Sequence, residues 1–330
     1  MTNRLVTIFF ILFTISNCES CDLEKDEEYS HQKRFDDPIN PPQSPTYLNQ
    51  PIEPVELPIK KEDDVIDKFE KFINQYAHDP QNIIKHCIIS SHNFTEEEKI
   101  QLIKLAQEKC HLNTLDIRDS DDFCPLHLAA KQNFSKVAQF LLDNGVTIDI
   151  SSDTQYDNNF TPLYYALESG HASMAKLLLD YNASINAQDI SGNTLLHWAA
   201  IWGRVDIVKL FLQKKDTFNC ELNKSGYTPL NLAVSHLYCD HSNEKQQIEI
   251  AKSLIEAFPK WININGGREG YYPLHNAIDH NSLNMAQLLV ENGAKLDVKD
   301  NKGLTPLNFA EKKRNDTIKE FLQTWINEKR

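Results

Sequence analysis

Glycine is scarce, with 10 residues in 330, and the chain holds no G-x-G-x-x-G, no G-x-x-x-x-G-K-[S/T], no G-x-S-x-G and no H-E-x-x-H. A Gly-rich phosphate cradle, a nucleophile elbow and a zincin helix are therefore all missing. Positive charge is also short: Lys and Arg number 34 against 47 Asp and Glu, a net charge of −13. A chain of that sign repels a phosphate backbone or an anionic lipid surface, so no nucleic-acid partner is expected. Long apolar runs are absent after the first fifteen residues, where no window stays apolar for eighteen residues. What remains, 41% hydrophobic and 25% charged, is enough for a substantial core in one or two folded units.

The N-terminus differs from the rest. Arg4 precedes an apolar stretch from Leu5 to Ile15, too short to span a ~30 Å hydrocarbon core as a helix but suited to the apolar region of a signal peptide. The stretch ends in Ile15-Ser16-Asn17-Cys18, which resembles a bacterial lipobox with Cys18 as the acylated residue, although Asn17 departs from the usual small residue. Cleavage before Glu19 or Cys21, and an uncleaved anchor, stay open. Residues 1–18 are thus expected to be an export signal, leaving the protein periplasmic, tethered to a membrane as a lipoprotein, or secreted. Residues 19–63 follow as an expected disordered, acidic, Pro-rich linker: seven of the fourteen prolines lie between Pro38 and Pro58, a density that forbids helix.

From Asp64 the apolar spacing turns helical. Val65, Phe69, Phe72, Ile73 and Tyr76 recur at three- and four-residue steps, Asp79-Pro80 interrupts, and Ile83, Ile84, Cys87 and Ile88 continue. Thr95 with Glu98 forms a capping box ahead of Ile100, Leu102, Ile103 and Ala106. The dominant signal is internal repetition. Cys124-Pro125-Leu126-His127-Leu128-Ala129 returns as Thr161-Pro162-Leu163-Tyr164-Tyr165-Ala166 and as Thr194-Leu195-Leu196-His197-Trp198-Ala199. It returns again as Thr228-Pro229-Leu230-Asn231-Leu232-Ala233, Tyr272-Pro273-Leu274-His275-Asn276-Ala277 and Thr305-Pro306-Leu307-Asn308-Phe309-Ala310. Each is followed by a second apolar helix pattern, such as Val137-Ala138-Gln139-Phe140-Leu141-Leu142. The pattern resembles the ankyrin repeat, whose T-P-L-H-x-A signature recurs about every 33 residues.

That resemblance implies an all-α ankyrin-repeat solenoid, its helix-turn-helix repeats joined by β-hairpin-like loops. A helical leader and degenerate capping repeat would occupy residues 64–120. Six repeats would follow at about 121–150, 157–187, 189–219, 223–264, 268–298 and 300–326. The residues suit the fold physically: Pro in the first helical turn lacks an N–H that would be unpaired there anyway, and the preceding Thr caps that turn. One repeat cannot bury its own apolar face, so neighbours must stack. Two spacings depart from the family pattern, a longer hairpin at Ser151 to Asn159 and about nine residues inserted near Leu237 to Gln246, between the two helices of one repeat.

In ankyrin-like arrays the hairpin tips and the open side of the first helices form a concave binding surface. Carried onto this chain, the exposed first-helix positions are Leu128, Lys131 and Gln132; Tyr165, Glu168 and Ser169; Trp198, Ile201 and Trp202; Leu232, Ser235 and His236; Asn276, Asp279 and His280; and Phe309, Lys312 and Lys313. Tyr165, Glu168, Trp198, Ile201, Trp202, His236, Asp279 and His280 are the expected partner-binding residues, with the aromatics as the centre, because Trp and Tyr dominate interface energetics. The competing reading makes Trp198 and Trp202 part of the scaffold.

His127, His197 and His275 hold the motif position whose imidazole hydrogen-bonds within and between repeats in the family, so they are expected to be structural. His236, Cys239 and His241 are spaced to offer three zinc ligands without a fourth nearby, and no metal or cofactor is expected. The seven cysteines are irregularly spaced and fit buried thiols at least as well as disulfides. The expected function is a non-catalytic protein-binding module, monomeric and exported or membrane-tethered. The alternatives are a secreted effector acting on a host protein and, behind it, an enzyme or metal-binding protein using the inserted loop.

Overall fold

The computed structural model describes residues 62–76, 82–90, 94–152, 160–218, 222–235 and 244–329. All of them lie in one compact unit that begins at Ile59. The expected export signal with Cys18, most of the linker, and His236, Cys239 and His241 lie outside the described residues. Among the described residues the chain is helical without extended strands. The hairpins between helix pairs carry three isolated antiparallel bridges, Ser152 to Phe160, Gln188 to Thr194 and Gly266 to Tyr271. Among these residues no helix is long and apolar enough to cross a membrane.

Helix α1 spans Glu62–Tyr76, and α2 spans Ile83–Lys85 and runs into one π-helical turn, His86–Ser90. Helix α3, Glu96–Cys110, opens on the capping box: the Glu98 amide donates to Thr95 Oγ1 at 3.2 Å, and the Thr95 amide donates to Glu98 Oε2 at 2.8 Å. Six helix pairs follow. They are α4 (Pro125–Gln132) with α5 (Ser135–Asp143), α6 (Pro162–Ser169) with α7 (Ala172–Asp180), and α8 (Leu195–Ile201) with α9 (Val205–Leu212). The others are α10 (Pro229–Ser235) with α11 (Glu244–Ala257), α12 (Pro273–Asp279) with α13 (Leu283–Glu291), and α14 (Pro306–Lys312) with α15 (Asp316–Glu328).

The first helices of each pair pack side by side as an inner layer from α2 to α14, and the second helices form an outer layer from α3 to α15. The core lies between the layers and runs without a break along the array. Ala129, Ala166, Ala199, Ala233, Ala277 and Ala310 are buried at the same position of the six inner helices from α4 to α14, and Val137, Met174, Ile207, Ile250, Met285 and Ile318 answer from the outer helices. Small residues on the inner side let the short helices approach closely, so each repeat's apolar face is covered by its neighbours.

Two devices recur between repeats. At four of the hairpins an acidic or amide side chain closes the turn: Asp119, Asp189 and Asp300 each accept backbone N–H bonds of 2.8 to 2.9 Å from the residues two and four positions on, and Asn223 does the same at 3.0 and 2.9 Å. At the other end of the inner helices, a side chain from the next repeat satisfies a C-terminal carbonyl. His171 Nε2 reaches Lys131 O at 3.3 Å, Arg204 donates to Glu168 O at 2.7 Å and Asn315 Nδ2 donates to Ile278 O at 3.5 Å. These bonds occupy carbonyls that a helix leaves without an internal partner.

The insertion is shorter than its spacing suggests. Glu244, Lys245 and Gln246, expected in a loop, begin α11, which runs for 14 residues against 8 or 9 in α5, α7, α9 and α13. The extra turn has a physical reason. It brings Gln247 to the carbonyl end of α8, where its Nε2 donates to Ile201 O at 3.3 Å, and sets Glu244 Oε1 to accept from Ser282 Oγ at 2.7 Å at the start of α13.

Candidate functional site

The inner-helix face is built from the position four residues after each cap and the turn that ends the helix. The first of these is covered everywhere it was expected to be open: Leu128, Tyr165, Trp198, Leu232, Asn276 and Phe309 are all buried. Tyr165 and Trp198 are each 5% exposed and Ile201 6%, which corrects the expectation that these three stand free on the surface. The reason is the hairpin. Side chains at this position turn toward the base of their own or a neighbouring hairpin: Tyr165 Oη lies 3.0 Å from Ser152 Oγ, Trp198 Nε1 donates to Asp189 Oδ2 at 3.1 Å, and Phe309 meets the Tyr271 ring edge-on at 5.1 Å.

Trp202 is placed differently. It follows α8 as its C-cap residue and is half-buried. Its ring stacks on Trp198 at 4.9 Å and 28°, and meets Tyr164 edge-on at 5.5 Å. Tyr164 in turn stacks flat on Phe160 at 3.6 Å and crosses Trp198 at 6.0 Å. Phe123 continues the group, 5.1 Å from Tyr165, and the Lys131 ammonium sits 5.3 Å above Phe123 and 5.4 Å above Tyr165. The result is an aromatic platform over the first three repeats, fixed from below, with Trp202 as its open edge. Burial pushes the Tyr164 and Tyr165 phenols well up, the latter to about 12, and the nearby Glu168 carboxylate adds to both.

Of the other expected residues, Glu168 is half-buried beside this platform. Asp279 and His280 end α12, a separate region of the inner layer, where Asp279 pairs with Lys313 at 2.6 Å. The seven described residues of the eight therefore do not form one cluster. Sequence reasoning missed Phe123, Phe160 and Tyr164 as parts of the platform. A signal existed: Phe123, Phe160, Tyr227 and Tyr271 each directly precede an inner-helix cap, a recurrence that places aromatics at the hairpin base.

The recess behind the platform, lined by Phe160, Tyr164, Gln188, Asp189 and Trp198, encloses about 10 Å³, room for no more than a single water and far below the few hundred Å³ of a small-molecule site. Among the described residues no group of three His, Cys, Asp or Glu side chains could hold a metal ion. One pair does have the look of a nucleophile and its base: Cys124 Sγ lies 3.0 Å from His127 Nδ1. Both are fully buried, and burial pushes the thiol up to about 11 and the imidazole down to about 4, the opposite of an activated thiolate. The thiol stands where four of the other five repeats have a capping Thr hydroxyl. Cys87, Cys110 and Cys124 are free thiols.

Stacked helix pairs with a rigid inner face define a class of protein that works as a scaffold for binding. Family models for ankyrin repeats match residues 87–189 and 186–255 in three-copy form and residues 254–310 in many-copy form, and the chain belongs to the ankyrin-repeat family. It is 30% identical over 153 residues to oxysterol-binding protein homolog 2 of Saccharomyces cerevisiae, covering 38% of this chain and 12% of that protein. It is 28% identical over 209 residues to transient receptor potential cation channel subfamily A member 1 of Homo sapiens, covering 62% of this chain and 18% of that one. The chain thus spans under a fifth of either relative. Among solved structures, an ankyrin repeat domain from Acinetobacter baumannii superposes with a TM-score of 0.51 at 24% identity, over 61% of this chain and 96% of that one, a likeness of fold. Ankyrin repeats point to a protein–protein interaction module.

Proposed function

We propose that this chain is a non-catalytic, monomeric protein-binding module, exported or membrane-tethered through its N-terminus, that holds a partner protein on the inner-helix face. The observation that carries the reading is Trp202: a large aromatic left half open, yet locked from beneath by Trp198 and Tyr164. A rigid amphipathic ring of this kind loses little side-chain entropy on binding and supplies large contact area, which is why Trp and Tyr anchor interfaces. Lys131 and Glu168 give the rim of that anchor both signs of charge, suiting a partner with a mixed polar margin.

The test is affinity capture with the intact chain, run beside Trp202→Ala and Glu168→Lys. A protein retained by the parent chain and released by Trp202→Ala, with helical circular dichroism unchanged, supports the reading. A partner retained equally by both variants overturns the assignment of this face. The export reading is tested by fractionation of cells expressing the full chain beside Cys18→Ala: loss of membrane association on that substitution supports a lipid tether. A chain found only in the cytosol refutes export.

A further inference from the structure

The residue three positions after each inner-helix cap alternates between histidine and other types along the array: His127, Tyr164, His197, Asn231, His275, Asn308. In the structure this position is a staple across the joint between consecutive repeats. His127 Nδ1 accepts the Cys124 N–H at 3.1 Å, and its Nε2–H donates to Phe160 O in the next hairpin at 3.0 Å. His197 repeats the arrangement, accepting from the Thr194 N–H at 3.1 Å and donating to Tyr227 O at 3.0 Å. His275 Nε2 lies 3.1 Å from Leu304 O, while its Nδ1 is buried without a hydrogen-bond partner. The joints between are closed by other chemistry. Asn231 makes the same two bonds with an amide, accepting from the Thr228 N–H at 2.9 Å and donating to Ile264 O at 3.1 Å. Tyr164 closes its joint by ring contacts with Trp198 and Trp202.

We propose that mild acid loosens alternate joints of the array: protonation of His127 and His197 weakens the α4/α6 and α8/α10 contacts while the α6/α8 and α10/α12 joints hold. A proton arriving on Nδ1 takes the lone pair that the backbone N–H of residue 124 or 194 uses, leaving donor against donor in a buried place. The groups around each imidazole modulate this. Arg118 opposes a charge on His127 and Asp122 favours it, with the Cys124 thiol and the Tyr165 ring in contact. His197 lies between the Thr194 hydroxyl and the hairpin of Tyr227. His275 faces Asp300 and the rings of Tyr271 and Tyr272, so its joint responds least. Burial holds His127 and His197 near 4 in the closed array. An opened joint restores the ordinary value near 6.5, so at pH 5 the opening equilibrium at each of these two rises about 30-fold.

The consequence is specific. The α6/α8 pair carrying Tyr164, Trp198 and Trp202 stays joined while the repeats on either side loosen, so acid would alter the reach of the inner face before the aromatic platform itself.

Native-state hydrogen exchange on the full chain at pH 7.5 and pH 5, corrected for the intrinsic pH dependence of exchange, reads the joints one by one. The amides of Cys124 and Thr194 are expected to lose about 30-fold protection at pH 5, and that of Thr228 to lose little. Replacing all three imidazoles by the amide that the fourth repeat already uses, His127→Asn with His197→Asn and His275→Asn, should abolish the acid response and keep the neutral melting temperature within a few degrees. Should the triple variant fold poorly, His197→Asn alone suffices, since Thr194 matches the Thr228 that supports Asn231, and it should remove the response at residue 194 only. Equal loss at residues 124, 194 and 228, or an acid response that survives His197→Asn at residue 194, overturns the proposal.

Discussion

Replacing Trp202 and Trp198 by alanine, separately, separates a surface anchor from the packing that holds it. Trp202 contributes one stacked contact, on Trp198 at 4.9 Å, and one edge-on contact, with Tyr164 at 5.5 Å. Aromatic pairs are worth roughly 0.5–1.5 kcal/mol each, and the ring is already half open to water, so Trp202→Ala should cost about 2 kcal/mol. Trp198 is 5% exposed, and emptying such a site costs ~3–5 kcal/mol. Its lost bond to Asp189 adds about 1 kcal/mol, and the stack that carries Trp202 goes with it. Trp198→Ala should therefore cost about 5 kcal/mol, at least twice as much. Urea unfolding followed by far-UV circular dichroism measures both, with the two midpoints compared on one slope because a repeat array need not melt in a single step. Equal losses would make Trp202 a core residue and leave the inner face without its anchor. A loss under about 0.5 kcal/mol at Trp202 would mean that the ring is not held by its neighbours as described.

Three further outcomes are expected. His127 and His197 are held near 4 by burial against about 6.5 unfolded, so the unfolded chain binds more protons between these values. Their contribution is complete above about pH 6.5 and is lost as pH falls toward 4, by about 4 kcal/mol for the pair at pH 5, readable from urea midpoints at pH 7.5 and 5; a flat profile would refute it. Gly267 lies at φ +71°, and a Cβ there would run into the Tyr227 phenol, so Gly267→Ala should cost about 2 kcal/mol or more by strain and overlap together, seen as a lower melting temperature. Thiol labelling of the native chain should reach half-buried Cys110 well before Cys87 and Cys124, whose burial pushes them up to about 12 and 11, with all three reacting in denaturant; fast native labelling of Cys124 would contradict its placement.

Much of the fold was legible in the sequence because repetition multiplies a weak local signal. A Pro-Leu pair at a helix start or an Ala on one face means little once, but five copies of the first and six of the second in register leave only stacking as a way to bury them. The capping box at Thr95 was legible for the same local reason: its two bonds lie within four residues.

What the sequence could not decide were matters set between repeats. Tyr165, Trp198 and Ile201 occupy positions open on an isolated helix, and only the neighbouring helices and hairpin bases bury them. The start of α11 belongs to the same class, since Glu244 to Gln246 join the helix where Gln247 and Glu244 find partners 46 and 38 residues away. Sequence determined which residues repeat and hence the layers. Tertiary structure decided which of them face water, because exposure depends on distant chain that local periodicity does not encode.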